Sequence, residues 1–182
     1  VLAGSSIENL PNTKNGQIDL ADFSNWISAS GNSFTEITKT IYDIAVSTLP
    51  APYDGSGSTL SQDNLRNRVS ASTYQDLSSG PINHATFYSY DIHGNVKSLY
   101  QYNGSLPTGN KYKRTDYAFD LISGKVNDVN YQEGMADQMY HHYFYDDDNR
   151  ITNVHTSKDG VIWDQDAKYF YYRHGPLART EI

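Results

Sequence analysis

Apolar and polar positions alternate with period two through the second half of the chain, and short polar turns punctuate the alternation. The clearest stretch is Tyr88-Ser89-Tyr90-Asp91-Ile92-His93-Gly94-Asn95-Val96-Lys97-Ser98-Leu99, which predicts strand, tight turn and strand. The punctuation returns in Tyr117-Ala118-Phe119-Asp120 leading to Gly124-Lys125-Val126, in Tyr143-Phe144-Tyr145-Asp146 leading to Asn149-Arg150-Ile151, and in Tyr169-Phe170-Tyr171-Tyr172 leading to Gly175-Pro176-Leu177. Tyr90, Phe119, Tyr145 and Tyr171 are separated by 29, 26 and 26 residues, a spacing within the range of repeat architectures. The expected fold is all-β, an array of antiparallel β-hairpins.

The residues of each copy suit their slots. Asp91, Asp120 and Asp146 open turns, where a carboxylate accepts hydrogen bonds from the backbone two or three residues on. Gly94, Gly124, Asn149 and Gly175 close them, at a position that favours a left-handed backbone. A type I turn followed by a left-handed residue is a common hairpin closure that introduces a bulge. The Phe119 copy has one extra residue, Ser123, and its turn is expected to be looser.

Tyr88 with Tyr90, Tyr117 with Phe119, Tyr143 with Tyr145 and Tyr169 with Tyr171 each share a strand face. Stacked hairpins would set these pairs side by side as a ladder, each cross-strand pair contributing about 0.2–1 kcal/mol. Because a lone hairpin is marginal, such a ladder would supply the cooperativity. Val96 and Leu99 are three apart and cannot share a face of a regular strand; either a bulge intervenes or both faces are partly covered.

The first third of the chain is less regular. Residues 1–17 read as loop, and Asp19 opens a predicted helix of about ten residues with Leu20, Phe23 and Ile27 on one face, ended by Ser30-Gly31. A helix that short is marginal alone, so its Phe23 and Trp26 face is expected to dock on the sheet. Phe34 to Val46 reads as strand, and Tyr42-Asp43 as the remnant of an earlier repeat. Asn67-Arg68-Val69 matches Asn149-Arg150-Ile151 and reads as the back half of a repeat. The expected organisation is loop, helix, strand and degenerate repeat over 1–46, a flexible linker over 47–63, and repeat hairpins over 64–182.

Composition narrows the function classes. Tyr supplies 16 residues, more than Phe and Trp together, which suits strands with one apolar face and hydroxyls that reach water or a partner. A formal charge of −7 argues against nucleic acid, whose affinity rests on neutralising phosphates. Lys111, Lys113 and Arg114 around Tyr112 form the one basic and aromatic cluster, read as a solvated strand edge. There is no cysteine, and no apolar run of membrane-spanning length. Both ends look cut, so the expectation is a segment of a longer polypeptide.

The pattern Tyr-x-Tyr-Asp-x-x-Gly/Asn-Arg-Leu/Ile, carried by Tyr90 to Lys97, Asp146 to Thr152 and His174 to Arg179, resembles the Rhs or YD repeat family in its Bacteroidetes-type form. The resemblance covers about residues 64–182. It departs from the family pattern at Asn95 and Lys125, which fill the Arg slot, and at Tyr172, which replaces Asp. What it implies is a ribbon of hairpins spiralling into a hollow β-shell, as in Rhs toxins, insecticidal toxin complexes and teneurins. In toxin members the shell encloses a C-terminal toxic domain. The self-cleavage segment of some members is not in this chain, and the resemblance carries over no catalytic residue.

Other chemistry is weaker. His141, His142, Asp146, Asp147 and Asp148 suggest a metal, calcium above all, but adjacent strand residues point to opposite faces and Asp146 is claimed by the turn. Asn12 to Asp22 resembles a calcium loop, yet Pro11 and Thr13 stand where two ligands belong, and a helix N-terminus is expected instead. No nucleophile elbow, zinc-protease motif or phosphate loop is present. Asn103-Gly104-Ser105 matches a glycosylation sequon and also an ordinary turn. The expectation is a non-enzymatic structural segment of an exported bacterial protein, secreted or at the cell surface, with no cofactor. Its partners would be the remaining repeats and an enclosed toxin domain. The alternative is a surface adhesion or carbohydrate-binding array, with exposed Tyr and Trp163 stacking on sugars.

Overall fold

The computed structural model describes residues 35–46, 61–77, 80–107 and 109–182. The predicted helix, the calcium-like loop and most of the 47–63 connection lie outside them. The chain divides into two compact units, Val1–Ile37 with Gln75–Pro81, and Thr38–Tyr74 with Ile82–Ile182. Within the described part of the first, the Gly80 N–H closes a turn onto the Leu77 carbonyl at 2.9 Å. The second holds most of the described strands.

The described residues form one open sheet of ten strands in sequence order. They are β1 (Thr35–Tyr42), β2 (Val69–Leu77), β3 (His84–Tyr90), β4 (Val96–Asn103), β5 (Tyr112–Phe119), β6 (Val126–Tyr131), β7 (Met139–Tyr145), β8 (Ile151–Ser157), β9 (Asp164–Tyr171) and β10 (Leu177–Glu181). The successive pairings from β2 to β10 are all antiparallel, so the sheet is a run of hairpins.

A bulge at each of four tips settles the Val96 and Leu99 spacing. Tyr90 faces Val96 while Ser89 faces Ser98, so Lys97 is extra; the same shift makes Asn127, Thr152 and Ala178 extra. The added residue re-phases the strand, so Val96 and Leu99, opposite Tyr90 and Tyr88, lie on one face. Val126 with Val129 and Ile151 with Val154 follow suit.

The aromatic ladder differs from the expected one. Each hairpin inserts a trailing strand between aromatic leading strands, with Val96 opposite Tyr90, Val126 opposite Phe119, Ile151 opposite Tyr145 and Leu177 opposite Tyr171. With strands about 4.8 Å apart, aromatic pairs of successive hairpins stand roughly two spacings apart and cannot stack directly. Within a strand the rings are neighbours: Tyr88 and Tyr90 are stacked at 6.3 Å between centroids, and Tyr117 and Phe119 are tilted at 6.3 Å.

The opposite face carries the core, where Ala71, Ala85, Phe87 and Tyr100 are buried, with Ile41, Val46, Ile82 and Tyr102 packed against them. Beyond β4 the side chains of β5 to β8 are mostly half-buried, as in a single thin sheet. Basic residues on β5 depart from the solvated-edge reading. This strand is paired on both sides; Arg114 binds Asp116 and lies 5.3 Å from the Tyr100 ring, while Lys113 binds Asp137 at 2.6 Å.

Candidate functional site

The repeated hairpin tips hold most of the residues the sequence singles out, and each tip is built by its own short-range chemistry. At Asp91, Oδ1 accepts from the backbone N–H groups of His93, Gly94 and Asn95, and Oδ2 from the Asn95 amide. Partial burial pushes this carboxyl up, but those bonds outweigh it and hold it below the ordinary value. Asp120 accepts from Ile122 and Ser123. Asp146 accepts from the Arg150 backbone and guanidinium, and the Arg150 bond is the main reason its carboxyl lies low.

The backbone closes in the same way at each tip. The N–H of Asp91, Asp146 and Tyr172 donates to the carbonyl of Asn95, Arg150 and Pro176, and the N–H of Gly94, Asn149 and Gly175 folds back to the opening residue. At the Phe119 copy, Gly124 reaches back one residue further, to Asp120. Gly94, Gly124, Asn149 and Gly175 have φ of 99°, 70°, 66° and 113°.

A fifth tip emerges that the sequence shows only in two halves. The Asp43 N–H donates to the Arg68 carbonyl at 3.1 Å, and Asp43 Oδ1 accepts from the Asn67 N–H. Asn67, with φ of 58°, stands where Asn149 stands, so Tyr42-Asp43 and Asn67-Arg68-Val69 are one hairpin tip with a long insertion inside its turn. The end of that insertion is tied down between β2 and β3. Gln62 Nε2 donates to the carbonyls of Ser70 and Tyr88, and the Asp63 carbonyl accepts from the Tyr90 N–H.

Successive hairpins are joined by a recurring lock. The Tyr90 hydroxyl donates to the Val69 carbonyl at 2.8 Å, Tyr145 to Val126 at 2.6 Å, and Tyr171 to Ile151 at 2.7 Å. Each acceptor is the first residue after the preceding turn, and the basic residue just before it lies over the same ring. The Arg68, Lys125 and Arg150 charges are 5.4, 5.4 and 4.6 Å from the ring centroids of Tyr90, Tyr145 and Tyr171. At the remaining junction the ring is Phe119, without a hydroxyl, and the preceding slot is Asn95, without a charge. Both halves of the lock are therefore lost together. Burial, and then the neighbouring Tyr88 and Tyr143, raise the hydroxyl pKa of Tyr90 and Tyr145, which keeps these donors protonated.

Gly94 makes room for one lock. A Cβ there would stand 2.6 Å from the Arg68 guanidinium, which passes over it while Nη1 donates to the Asn64 carbonyl.

A second feature lies on the opposite face. His142 and Phe144 of β7, His155 of β8 and Trp163 before β9 line a recess of about 320 Å³. Rings meet edge to face: His142 with Phe144 at 4.5 Å, Phe144 with His155 at 4.9 Å, and His142 with Trp163 at 6.0 Å. Trp163 is held by a turn in which Asp159 accepts from the Val161 and Ile162 N–H groups. It remains 38% exposed and Phe144 42%, so ring surface faces outward. Asp128 binds His142 Nδ1, while His155 Nε2 is buried without a hydrogen-bond partner among the described residues.

The histidine and aspartate run at 141–148 does not gather at one point. His141 stacks on Tyr143, His142 turns to Asp128 on the other face, and Asp146 and Asp148 bind Arg150. Among the described residues no three metal-ligating side chains converge. Asn103 uses its side-chain oxygen to accept from the Ser105 N–H within its turn. Among the described residues, no helix is long and apolar enough to cross a membrane.

Sequence reading missed the lock because its acceptor is a backbone carbonyl. A signal was present in the spacing from Arg68, Lys125 and Arg150 to the next hairpin's Tyr90, Tyr145 and Tyr171. No protein-family model matches the chain, and comparison with curated proteins gives no match.

Proposed function

We propose that this chain is a non-catalytic structural segment of a large exported protein of the Rhs or YD repeat type. It contributes wall to a hollow β-shell that carries a C-terminal toxin or effector domain. The observation that supports this reading best is the constant relation between hairpins. At all four junctions, the residue two past the first of the trailing strand pairs with the residue three before the next hairpin's second aromatic. Those pairs are Ala71 with Phe87, Ser98 with Asp116, Asp128 with His142 and Asn153 with Lys168. A module that repeats its register and its lock adds units without a new interface each time, which suits a long wall.

The test is electron microscopy of the intact parent polypeptide. Hollow particles with density inside, and a toxic domain encoded after residue 182, are the expected results. A solid globule overturns the shell.

A second reading, carbohydrate binding, draws on the recess at Trp163 and Phe144, whose outward ring faces suit the apolar face of a sugar. A dose-dependent hit on a glycan array that Trp163→Ala abolishes would favour it; a response unchanged by that substitution would remove it.

A further inference from the structure

The junction rule also applies to the sheet's open edge. Among the described residues β10 pairs with β9 alone, and its five residues are all exposed. Its tip ends in Pro176-Leu177, the positions held by Arg150-Ile151 in the preceding hairpin, so the Leu177 carbonyl occupies the acceptor place of the lock. The residue two past Leu177 is Arg179. Its side chain is 62% exposed, and its guanidinium lies 4.3 Å from the Phe170 ring and holds Glu181 at 2.7 Å.

We infer that the β10 edge is a docking edge for the leading strand of another hairpin whose sequence is carboxylate-x-x-aromatic. The aromatic seats over Pro176 and Leu177, and the carboxylate lies directly opposite Arg179. This rests on reading the chain as a hairpin array, and it names the partner that array accepts.

Two observations fix the chemistry. At two of the three polar junctions the facing residues bind each other: Ser98 Oγ donates to Asp116 at 2.6 Å, and Asp128 binds His142, while at the third Asn153 bonds Gln165 in place of Lys168. Arg179 is a cation in the same place and calls for an anion, whereas a like charge directly opposite would repel. The slot before Leu177 is Pro176, uncharged like Asn95, and the ring that follows Asn95 is Phe119; a plain aromatic therefore suffices. A second copy of this chain is a poor occupant. Its β1 would present Tyr42 as the aromatic and Lys39 three residues earlier, cation against cation.

The chain contains a strand with the required pattern, Asp116-Tyr117-Ala118-Phe119 of β5. A synthetic hairpin of residues 112–131 is therefore the probe, titrated against the full chain. Saturable binding is expected, weakened at least tenfold by Arg179→Glu in the protein or Asp116→Lys in the peptide, and restored when the two are combined. Because the chain has no cysteine, register can be trapped directly. Arg179→Cys protein should form a disulfide with the Asp116→Cys peptide well ahead of the Thr115→Cys peptide.

Binding indifferent to both charge changes, equal trapping at 115 and 116, or self-association through β10 with no peptide bound would each overturn the inference. Failure here together with hollow parent particles would remove only the edge assignment. A bound peptide together with solid parent particles would remove only the shell.

Discussion

The hydroxyl of Tyr90 donates to the carbonyl of Val69 across a hairpin junction, at 2.8 Å, beneath a guanidinium 5.4 Å from its ring. The bond joins residues 21 apart, and its counterparts at Tyr145 and Tyr171 join residues 19 and 20 apart. It is therefore an inter-hairpin contact, made at three of the four junctions.

Removing the hydroxyl tests that contact. Tyr90→Phe, Tyr145→Phe and Tyr171→Phe should each cost about 0.5–1.5 kcal/mol, the usual net value of one hydrogen bond, with Tyr90 at the upper end because it is the most buried. Phe119→Tyr supplies a hydroxyl to the junction that lacks one and should leave stability unchanged or raise it. Urea midpoints at constant slope give the comparison.

Alkali should loosen the same contacts. Tyr90 and Tyr145 of the lock, and Tyr112 outside it, have hydroxyl pKa values raised above 10.0, by burial first and by the neighbouring Tyr88, Tyr143 and Tyr102 second. The folded chain holds these protons more tightly than the unfolded one. The stability they contribute is thus complete below about pH 10 and is lost as pH rises through the folded values. Melting temperature measured from neutral pH upward should hold steady to about pH 10 and fall above it, alongside a delayed phase in the tyrosinate absorbance.

Acid acts on the turns with the opposite sign. The Asp146 carboxyl lies below 3.8, chiefly because of its bond to the Arg150 side chain, so its contribution is present above the ordinary carboxylate pKa and disappears as pH falls through the folded value. Asp146→Asn should lower the melting temperature at neutral pH. The gap to the unsubstituted chain should narrow as pH falls through the folded value of Asp146.

Gly94→Ala meets two obstacles, a φ of 99° and a new Cβ 2.6 Å from the Arg68 guanidinium. A loss of about 1–3 kcal/mol is expected. Adding Arg68→Ala should recover the steric part but leave the backbone part, so a double-mutant cycle by urea unfolding should show coupling between the two positions.

Calcium provides a further check. Because Asp146 and Asp148 are engaged with Arg150 and His142 with Asp128, millimolar calcium or a chelator should leave the melting temperature unchanged. An upward shift on adding calcium would contradict the ion-pair account of this cluster.

The sequence by itself determined what is local. Asp91, Gly94, Asp146 and Asn149 specify turns because a short carboxylate and a residue tolerant of positive φ act on backbone within four positions. Aromatics two apart mark strands because side chains alternate along an extended chain. Those two rules suffice to read an all-β run of antiparallel hairpins.

Only the tertiary structure decided what depends on register and on anonymous backbone atoms. The lock uses the carbonyls of Val69, Val126 and Ile151, and every residue has a carbonyl. The Asp43 and Asn67 tip is divided by an insertion long enough to hide the pairing. The recess at Trp163 needs Phe144 and His155 set side by side by a pairing that bulges and shifts. The place of Val96 and Leu99 on one face likewise followed from a single extra residue, Lys97, because one added position in a strand of period two reverses every side chain beyond it.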